Sequence, residues 1–183
     1  MPDGITAVPL TGDDDADQLL AEEPLALLIG MLLNQQMPLE RAFHGPYDLK
    51  ERLGGRLDAA DIADADADGL VDVFAEPPAL HRAAGPMAGR AQELCRTIVA
   101  DYGGDAAAIW TSATTGEELF YRLSALPGFG AQKARVLMII LNDHLGVAPP
   151  GADEIANQQR NRDFFSIAPA PKTMIDGKWT RVK

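Results

Sequence analysis

Apolar and polar positions along the chain recur with the spacing of helices. Apolar side chains stand three or four residues apart over 39–53 and 87–102, and a run that is apolar on every side follows Pro24. The first pattern predicts amphipathic helices on a core, and the second predicts a central buried helix. No segment alternates long enough to predict a sheet. The predicted fold class is therefore all-α.

Glycine, proline and threonine mark where the predicted helices begin and end. Thr114 or Thr115 precedes a helix from 116 to about 125, and Gly146 ends the next helix, which spans 131–145. We expect three parts: an N-terminal arm with an acidic helix, which packs loosely, a helical domain, and a partly extended tail. The tail either contacts DNA phosphates through its Lys and Arg side chains or is a poorly ordered or recombinant extension. These parts correspond to residues 1–23, 24–153 and 154–183.

A tight turn joins the last two predicted helices. It reads Leu126-Pro127-Gly128-Phe129-Gly130. Because glycine tolerates positive φ, backbone N–H groups there can point outward together. The following helix adds the positive end of its dipole at the same place. The turn is therefore expected to bind an anion, most naturally one phosphate.

The fixed residues of this turn carry a resemblance to a known family. The core Leu-Pro-Gly-x-Gly resembles the hairpin of helix-hairpin-helix DNA proteins, and the helical chain around it resembles the base-excision DNA glycosylase superfamily (endonuclease III, the adenine-mispair and 3-methyladenine glycosylases). The resemblance covers 24–153 and implies two helical lobes with a cleft between them. It implies a double-stranded DNA partner with a damaged or mispaired base. The DNA-binding residues would be Leu126, Pro127, Gly128, Phe129, Gly130, Gln132 and Lys133.

Three amides end the apolar helix that starts at Pro24. Asn34, Gln35 and Gln36 follow its C-terminal end, and buried amides without partners are costly. An exposed cleft or a DNA strand would supply partners. The 3-methyladenine-type glycosylases look similar here, and the resemblance places Gln35 and Gln36 at the lesion. The alternative is a pair of amides that caps a helix end.

The resemblance also implies a catalytic carboxylate a short way past Gly146. Asp153 matches that position, and Glu154 is the nearest substitute; a helix N-cap is the structural alternative. Such an acid stabilises an oxocarbenium-like transition state or orients water. Bifunctional relatives place a nucleophilic lysine where this chain has Gln132, so Lys133 is expected to contact phosphate. We therefore expect a monofunctional N-glycosylase that releases a base and leaves the strand intact.

The charge balance keeps two other functions open. The chain has 183 residues and a net charge of −11, which opposes nonspecific nucleic-acid binding. Many acids lie in 13–17 and 58–72, whereas 119–141 carries Arg122, Lys133 and Arg135 with no acid, so a local cationic surface is expected. The alternatives are a non-catalytic helix-hairpin-helix DNA-binding module and a helical protein-interaction domain.

The cysteine and the histidines limit which cofactors the chain can hold, and the length of its apolar runs indicates the compartment. Cys95 stands alone on an apolar stripe and is expected in the core, and a single cysteine excludes the four-cysteine iron-sulfur loop of some relatives. The three histidines are far apart, so we expect no metal centre and no cofactor, with room only for a monovalent cation at the turn. No apolar run is long enough to span a bilayer. We expect a cytoplasmic monomer, associated with the nucleoid if the cell is prokaryotic, and no membrane partner.

Overall fold

The computed structural model describes residues 7–160, 172–175 and 178–181, with side chains described over 7–158. Over these ranges the chain is helical, with one short strand pair near its end. The elements, in chain order, are α1 Asp14–Glu22, α2 Pro24–Leu33, α3 Leu39–Arg52, α4 Ala59–Ala63, α5 Ala67–Ala75, α6 Ala84–Tyr102, α7 Ala108–Thr111, α8 Gly116–Ser124, α9 Ala131–Leu145, α10 Ala152–Arg160, β1 Lys172–Ile175 and β2 Lys178–Arg181.

The helix boundaries follow the local chemistry of the sequence. Pro24 occupies the first turn of α2, where its missing N–H costs nothing. The Thr115 hydroxyl accepts a hydrogen bond from the Glu118 N–H at 3.1 Å and caps α8. Gly103 and Gly146 end α6 and α9 with φ of 62° and 67°, as left-handed C-terminal residues do. The predicted helical fold class is confirmed.

The core is built around α2. Every residue from Leu25 to Leu33 is buried, as the all-round apolar pattern predicts. The adjacent α3 crosses α2 closely at Gly30, where a Cβ atom would lie 2.5 Å from the ring of Phe43. A larger residue than glycine at this crossing would therefore push the two helices apart.

The long helix α6 packs on α4 and α5 with Cys95 on its buried face. Cys95 is fully buried, which confirms the core placement. Burial raises the pKa of its thiol to about 12, so the unreactive thiol is the stable form. The buried Gln92 donates to the carbonyl of Ala65 at 2.8 Å, which ties α6 to the α4–α5 linker.

The N-terminal segment is more firmly packed than a loose arm. Val8 and Leu10 lie in the core. The buried carboxylate of Asp17 on α1 accepts hydrogen bonds from the Leu10 N–H at 3.2 Å and from the Thr11 N–H at 2.8 Å. A buried carboxylate with several donors is stable, and here it fastens the segment to α1.

The end of the described chain holds one more helix and a strand pair. Helix α10 spans the predicted boundary between domain and tail, with Ala152 and Ala156 buried. Strands β1 and β2 pair antiparallel, with Lys172 opposite Arg181. The predicted phosphate contacts of the tail concern side chains outside the described ones. Within the described residues, no helix has the length and apolarity needed to cross a membrane.

Candidate nucleic-acid interface

The turn between α8 and α9 is a compact loop anchored by Leu126. Leu126 is buried and its carbonyl accepts the Phe129 N–H at 3.0 Å. Gly128 has φ of 78°, which favours glycine, but Gly130 is extended with φ of 167°. The positive φ that glycine tolerates is therefore used at Gly128 and not at Gly130.

The turn packs against the end of α2 and the side of α6. A Cβ atom at Gly128 would lie 2.4 Å from Leu32 Cδ1 and 3.7 Å from Arg90 Cδ. A Cβ atom at Gly130 would have nothing within 4 Å. Gly128 is therefore needed for packing, whereas Gly130 leaves an open space in front of the start of α9.

Several backbone N–H groups at this open space have no hydrogen-bond partner among the described residues. They belong to Gly128, to Gly130 and to Ala131, Gln132 and Lys133 at the start of α9. The first N–H of α9 with a backbone partner is that of Ala134, which donates to the Gly130 carbonyl at 2.9 Å. Such free donors at a helix N-terminus favour an anion.

The amides of Gln35 and Gln36 are exposed, and each is held by an arginine that the sequence did not reveal. Arg90 Nη1 donates to Gln35 Oε1 at 2.8 Å, and Arg82 donates to Gln36 Oε1. The sequence analysis expects a cleft or a DNA strand to satisfy these amides. Their oxygens are instead satisfied within the chain.

The backbone of residues 34–37, the amide loop, is also tied down. His81 is buried; its Nδ1 accepts the Ala83 N–H at 2.9 Å, so its Nε2 carries the proton and donates to the Gln35 carbonyl at 2.8 Å. Asn34 Nδ2 donates to the Met37 carbonyl at 3.0 Å. Gln36 has φ of 54°, a conformation that is uncommon outside glycine and concentrates at functional sites.

Lys133 joins the start of α9 to the end of α2. Its Nζ donates to the Leu32 carbonyl at 3.0 Å. Burial, and then the nearby Arg90, lower the pKa of Lys133 to about 8. Between α2 and α9 lies a cavity of about 220 Å³, the amide cleft, lined by Met31, Asn34, Gln35, Gln132, Lys133 and Val136.

The cations at this face differ from the predicted set. Arg122 pairs with Glu118 at 2.5 Å, and Arg135 lies over the Phe120 ring at 4.9 Å from its centroid. The cations at this face are Arg90, which lies beside Gly128, Arg82 at the amide loop and Lys133 at the start of α9. Among the described residues, none of these three has a carboxylate within ion-pair distance, so their charge is available to an anion.

Asp153 and Glu154 lie away from the amide cleft. Both are exposed in the first turn of α10, and Asp153 Oδ1 accepts a hydrogen bond from Asn142 Nδ2 at 2.7 Å. Asn142 follows Lys133 by nine residues, which is about 13.5 Å along α9 and roughly half a turn away in direction. The predicted acid and the predicted phosphate contact thus stand on opposite sides of α9.

Two larger cavities involve none of the predicted site residues. One, of about 310 Å³, is apolar and lies between α1, α2, α7 and the end of α9. The other, of about 300 Å³, lies beside α3 at His44 and Asp48. Within the part of the chain that the structure describes, no group of three or more acidic, histidine or cysteine side chains is placed to hold a metal ion.

Comparison with models of known protein families and with curated proteins gives no match. Three segments far apart in sequence meet at one face: the amide loop, the α6 side that carries Arg90, and the turn before α9.

Proposed function

We propose that this chain is a DNA-repair protein of the helix-hairpin-helix base-excision type. The turn between α8 and α9 binds a backbone phosphate, and the amide loop contacts a damaged or mispaired base. The predicted reaction is hydrolysis of the N-glycosidic bond without strand cleavage. The observation that carries the proposal is the convergence of free backbone donors, unpaired cations and exposed amides on one face.

The turn has the components of a phosphate site. The backbone N–H groups of Gly128, of Gly130 and of the first three residues of α9 have no partner among the described residues, and α9 directs its positive end toward them. Lys133 and Arg90 add positive charge nearby. Contacts of this kind position a protein on DNA without reading sequence. They also allow a chain of net charge −11 to bind DNA locally.

Packing between the helices supports two lobes with a cleft. The helix pairs whose backbones approach most closely fall into two sets, α1–α6 and α7–α10, and one hydrophobic core runs through both sets. The turn, the amide loop and Lys133 lie where the sets meet. A cleft there would admit a DNA strand and a base taken out of the stack.

A non-catalytic DNA-binding module is the second candidate, because of where the acid lies. Glycosidic hydrolysis needs a carboxylate near the sugar, and the residues that line the amide cleft include no acid. Asp153 is hydrogen-bonded to Asn142 on the other side of α9. Catalysis by Asp153 would require DNA to reach both sides of α9.

Excision assays on wild type and Asp153→Asn separate the two candidates. Each duplex carries one modified base, and hot alkali then cleaves any abasic site. Glu154→Gln is the matched control, because it removes a neighbouring carboxylate in the same turn. A glycosylase that uses Asp153 cleaves at least one duplex as wild type and none as Asp153→Asn, while Glu154→Gln stays active.

The other outcomes of these assays distinguish a binding module from a protein-interaction domain. Tight binding to duplexes with an abasic-site analogue, without cleavage of any modified duplex, supports the binding module. Borohydride reduction is expected to trap no covalent adduct, because Gln132 occupies the position of the family's nucleophile. If the protein cleaves none of the duplexes and does not bind DNA in a salt-dependent manner, the proposal is contradicted. A protein-interaction domain is then favoured.

A further inference from the structure

We propose that the amide loop presents hydrogen-bond donors to DNA and therefore favours duplexes in which the base opposite the lesion is a pyrimidine. This inference rests on the proposed function, because it assumes that Gln35 and Gln36 face the gap left by an extruded base. It concerns the base that remains in the stack opposite the lesion.

The arginines determine which end of each amide faces outward. A guanidinium has N–H donors and no acceptor. The atom that Arg90 contacts on Gln35 must therefore be the amide oxygen, as must the atom that Arg82 contacts on Gln36. Since both oxygens turn to the arginines, both NH₂ groups turn away from them. The orientation follows from the chemistry of arginine and does not depend on how an amide oxygen and nitrogen are told apart.

The loop is built to keep this orientation. The Gln35 carbonyl is held by His81, which is 3% exposed, and the Met37 carbonyl is held by Asn34. A loop with these fixed hydrogen bonds loses little conformational entropy when DNA binds. The NH₂ groups are therefore positioned before DNA arrives, and the chain does not offer amide oxygens in their place.

The four bases differ in the acceptors on their pairing edges. Cytosine presents a ring nitrogen beside a carbonyl oxygen, and thymine presents two carbonyl oxygens. Adenine and guanine each present one acceptor beside their donors. Two amide NH₂ groups match the pyrimidine edges better, and a site with hydrogen-bonding groups discriminates strongly against partners that leave them unpaired. Where the pair was a Watson–Crick pair before the lesion formed, the extruded base is then a purine.

Equilibrium binding to duplexes with a tetrahydrofuran abasic-site analogue tests this preference directly. The analogue leaves the gap, and the base opposite it is varied among A, C, G and T at fixed salt. We expect binding opposite C or T to be at least about fivefold tighter than opposite A or G, the lower range for a specific base contact. Equal binding opposite all four bases, or tighter binding opposite purines, overturns the inference.

The double variant Gln35→Glu with Gln36→Glu tests the donors themselves. Each change replaces an NH₂ group with a carboxylate oxygen and keeps the arginine contact. We expect the pyrimidine preference to disappear. Gln132→Glu is the matched control, since it adds negative charge at the edge of the same cleft; it should weaken binding to all four duplexes equally and keep their ratio. A double variant that keeps the wild-type ratio overturns the inference.

The same measurements distinguish this inference from the proposed function. If wild type binds the abasic duplexes tightly but without preference, the donor inference fails and the DNA-binding proposal stands. If wild type binds neither abasic nor intact duplex in a salt-dependent manner, the proposed function itself fails, and the inference fails with it.

Discussion

The two ends of α9 show how binding and chemistry are separated in this molecule. At the N-terminal end, free backbone donors meet Lys133 and the Arg90–Gln35 pair. At the C-terminal end, Asn142 meets the exposed carboxylate of Asp153. One end has the groups that an anion needs and the other has the predicted acid, so the features of one predicted site occupy two places.

Both ends depend on a glycine at a close approach, but in different ways. A Cβ atom at Gly116 would lie 2.3 Å from the backbone nitrogen of Ala152, and the Gly116 N–H donates to the Pro150 carbonyl at 2.8 Å. A Cβ atom at Gly128 would come closest to a side-chain atom of Leu32 and not to backbone. The Gly116 contact fixes α10, and the Gly128 contact fixes the turn against α2.

Gly116→Ala is expected to have the largest effect on stability. Because the crowded atoms are backbone, we expect a loss of about 3 kcal/mol in the free energy of unfolding. Denaturant unfolding measures the loss. DNA affinity per folded molecule should stay at the wild-type value, since Gly116 lies outside both the turn and the amide loop. If Gly116→Ala were fully folded and had still lost DNA affinity, the two ends of α9 would not differ in their role in DNA binding.

Gly128→Ala is expected to lower both stability and DNA affinity. The left-handed conformation and the contact with the buried Leu32 together cost about 2 kcal/mol. The turn must shift to relieve them, so DNA should bind more weakly even where the protein is folded. Parallel unfolding and binding measurements on this variant and on Gly116→Ala test the contrast. Unchanged binding by folded Gly128→Ala would mean that the turn does not hold DNA.

Lys133→Met should reduce the salt dependence of DNA binding. Loss of one phosphate contact lowers the slope of log affinity against log salt by about 0.9. Because the pKa of Lys133 is about 8, wild-type affinity should fall as pH rises through 8, and the variant should lack this fall. Titrations at several salt concentrations and pH values provide the measurement. An unchanged slope would exclude Lys133 as a phosphate contact.

The lowered pKa of Lys133 also makes the free energy of unfolding depend on pH. The pKa of Lys133 is lowered from 10.5 to about 8 in the fold, so between these values the unfolded chain binds more protons than the folded one. Stability contributed by this group therefore rises with pH across that window and is lowest below about 8. Lys133→Met should remove this part of the rise in unfolding free energy.

The sequence predicts the local parts of this molecule better than its long-range pairs. Pro24, Thr115 and Gly146 mark helix ends because their effects act within one turn. The partners of Gln35 and Gln36 could not be predicted, because Arg90 and Arg82 lie tens of residues away on a polar helix face or in a loop. Periodicity does not show which exposed charge meets which amide.

The N-terminal segment and α10 were also beyond local prediction. The acid that holds the segment 7–11, Asp17, resembles any surface carboxylate in an acidic helix. In α10 the buried face consists of Ala152 and Ala156 with a half-buried Ile155, too small an apolar stripe to stand out. The position of Asp153 followed from this helix, and the sequence alone suggested a loop.

Asp153→Asn is expected to have the smallest effect. Asparagine keeps an oxygen that can accept from Asn142, and the site is exposed, so the unfolding free energy should change by less than about 0.5 kcal/mol. Affinity for an abasic duplex should also stay unchanged. Thermal unfolding and titration provide the check. A several-fold change in DNA affinity would show that the C-terminal end of α9 also faces DNA.

Binding of an abasic-analogue duplex by wild type and Gly130→Asp, over a series of salt concentrations, tests the central claim most directly. Gly130 is extended and has open space around it, so the fold tolerates a side chain there, but a carboxylate would stand where the phosphate binds. The account predicts salt-dependent binding by wild type and loss of at least about tenfold in affinity by the folded variant. Equal affinities for the two proteins would contradict it.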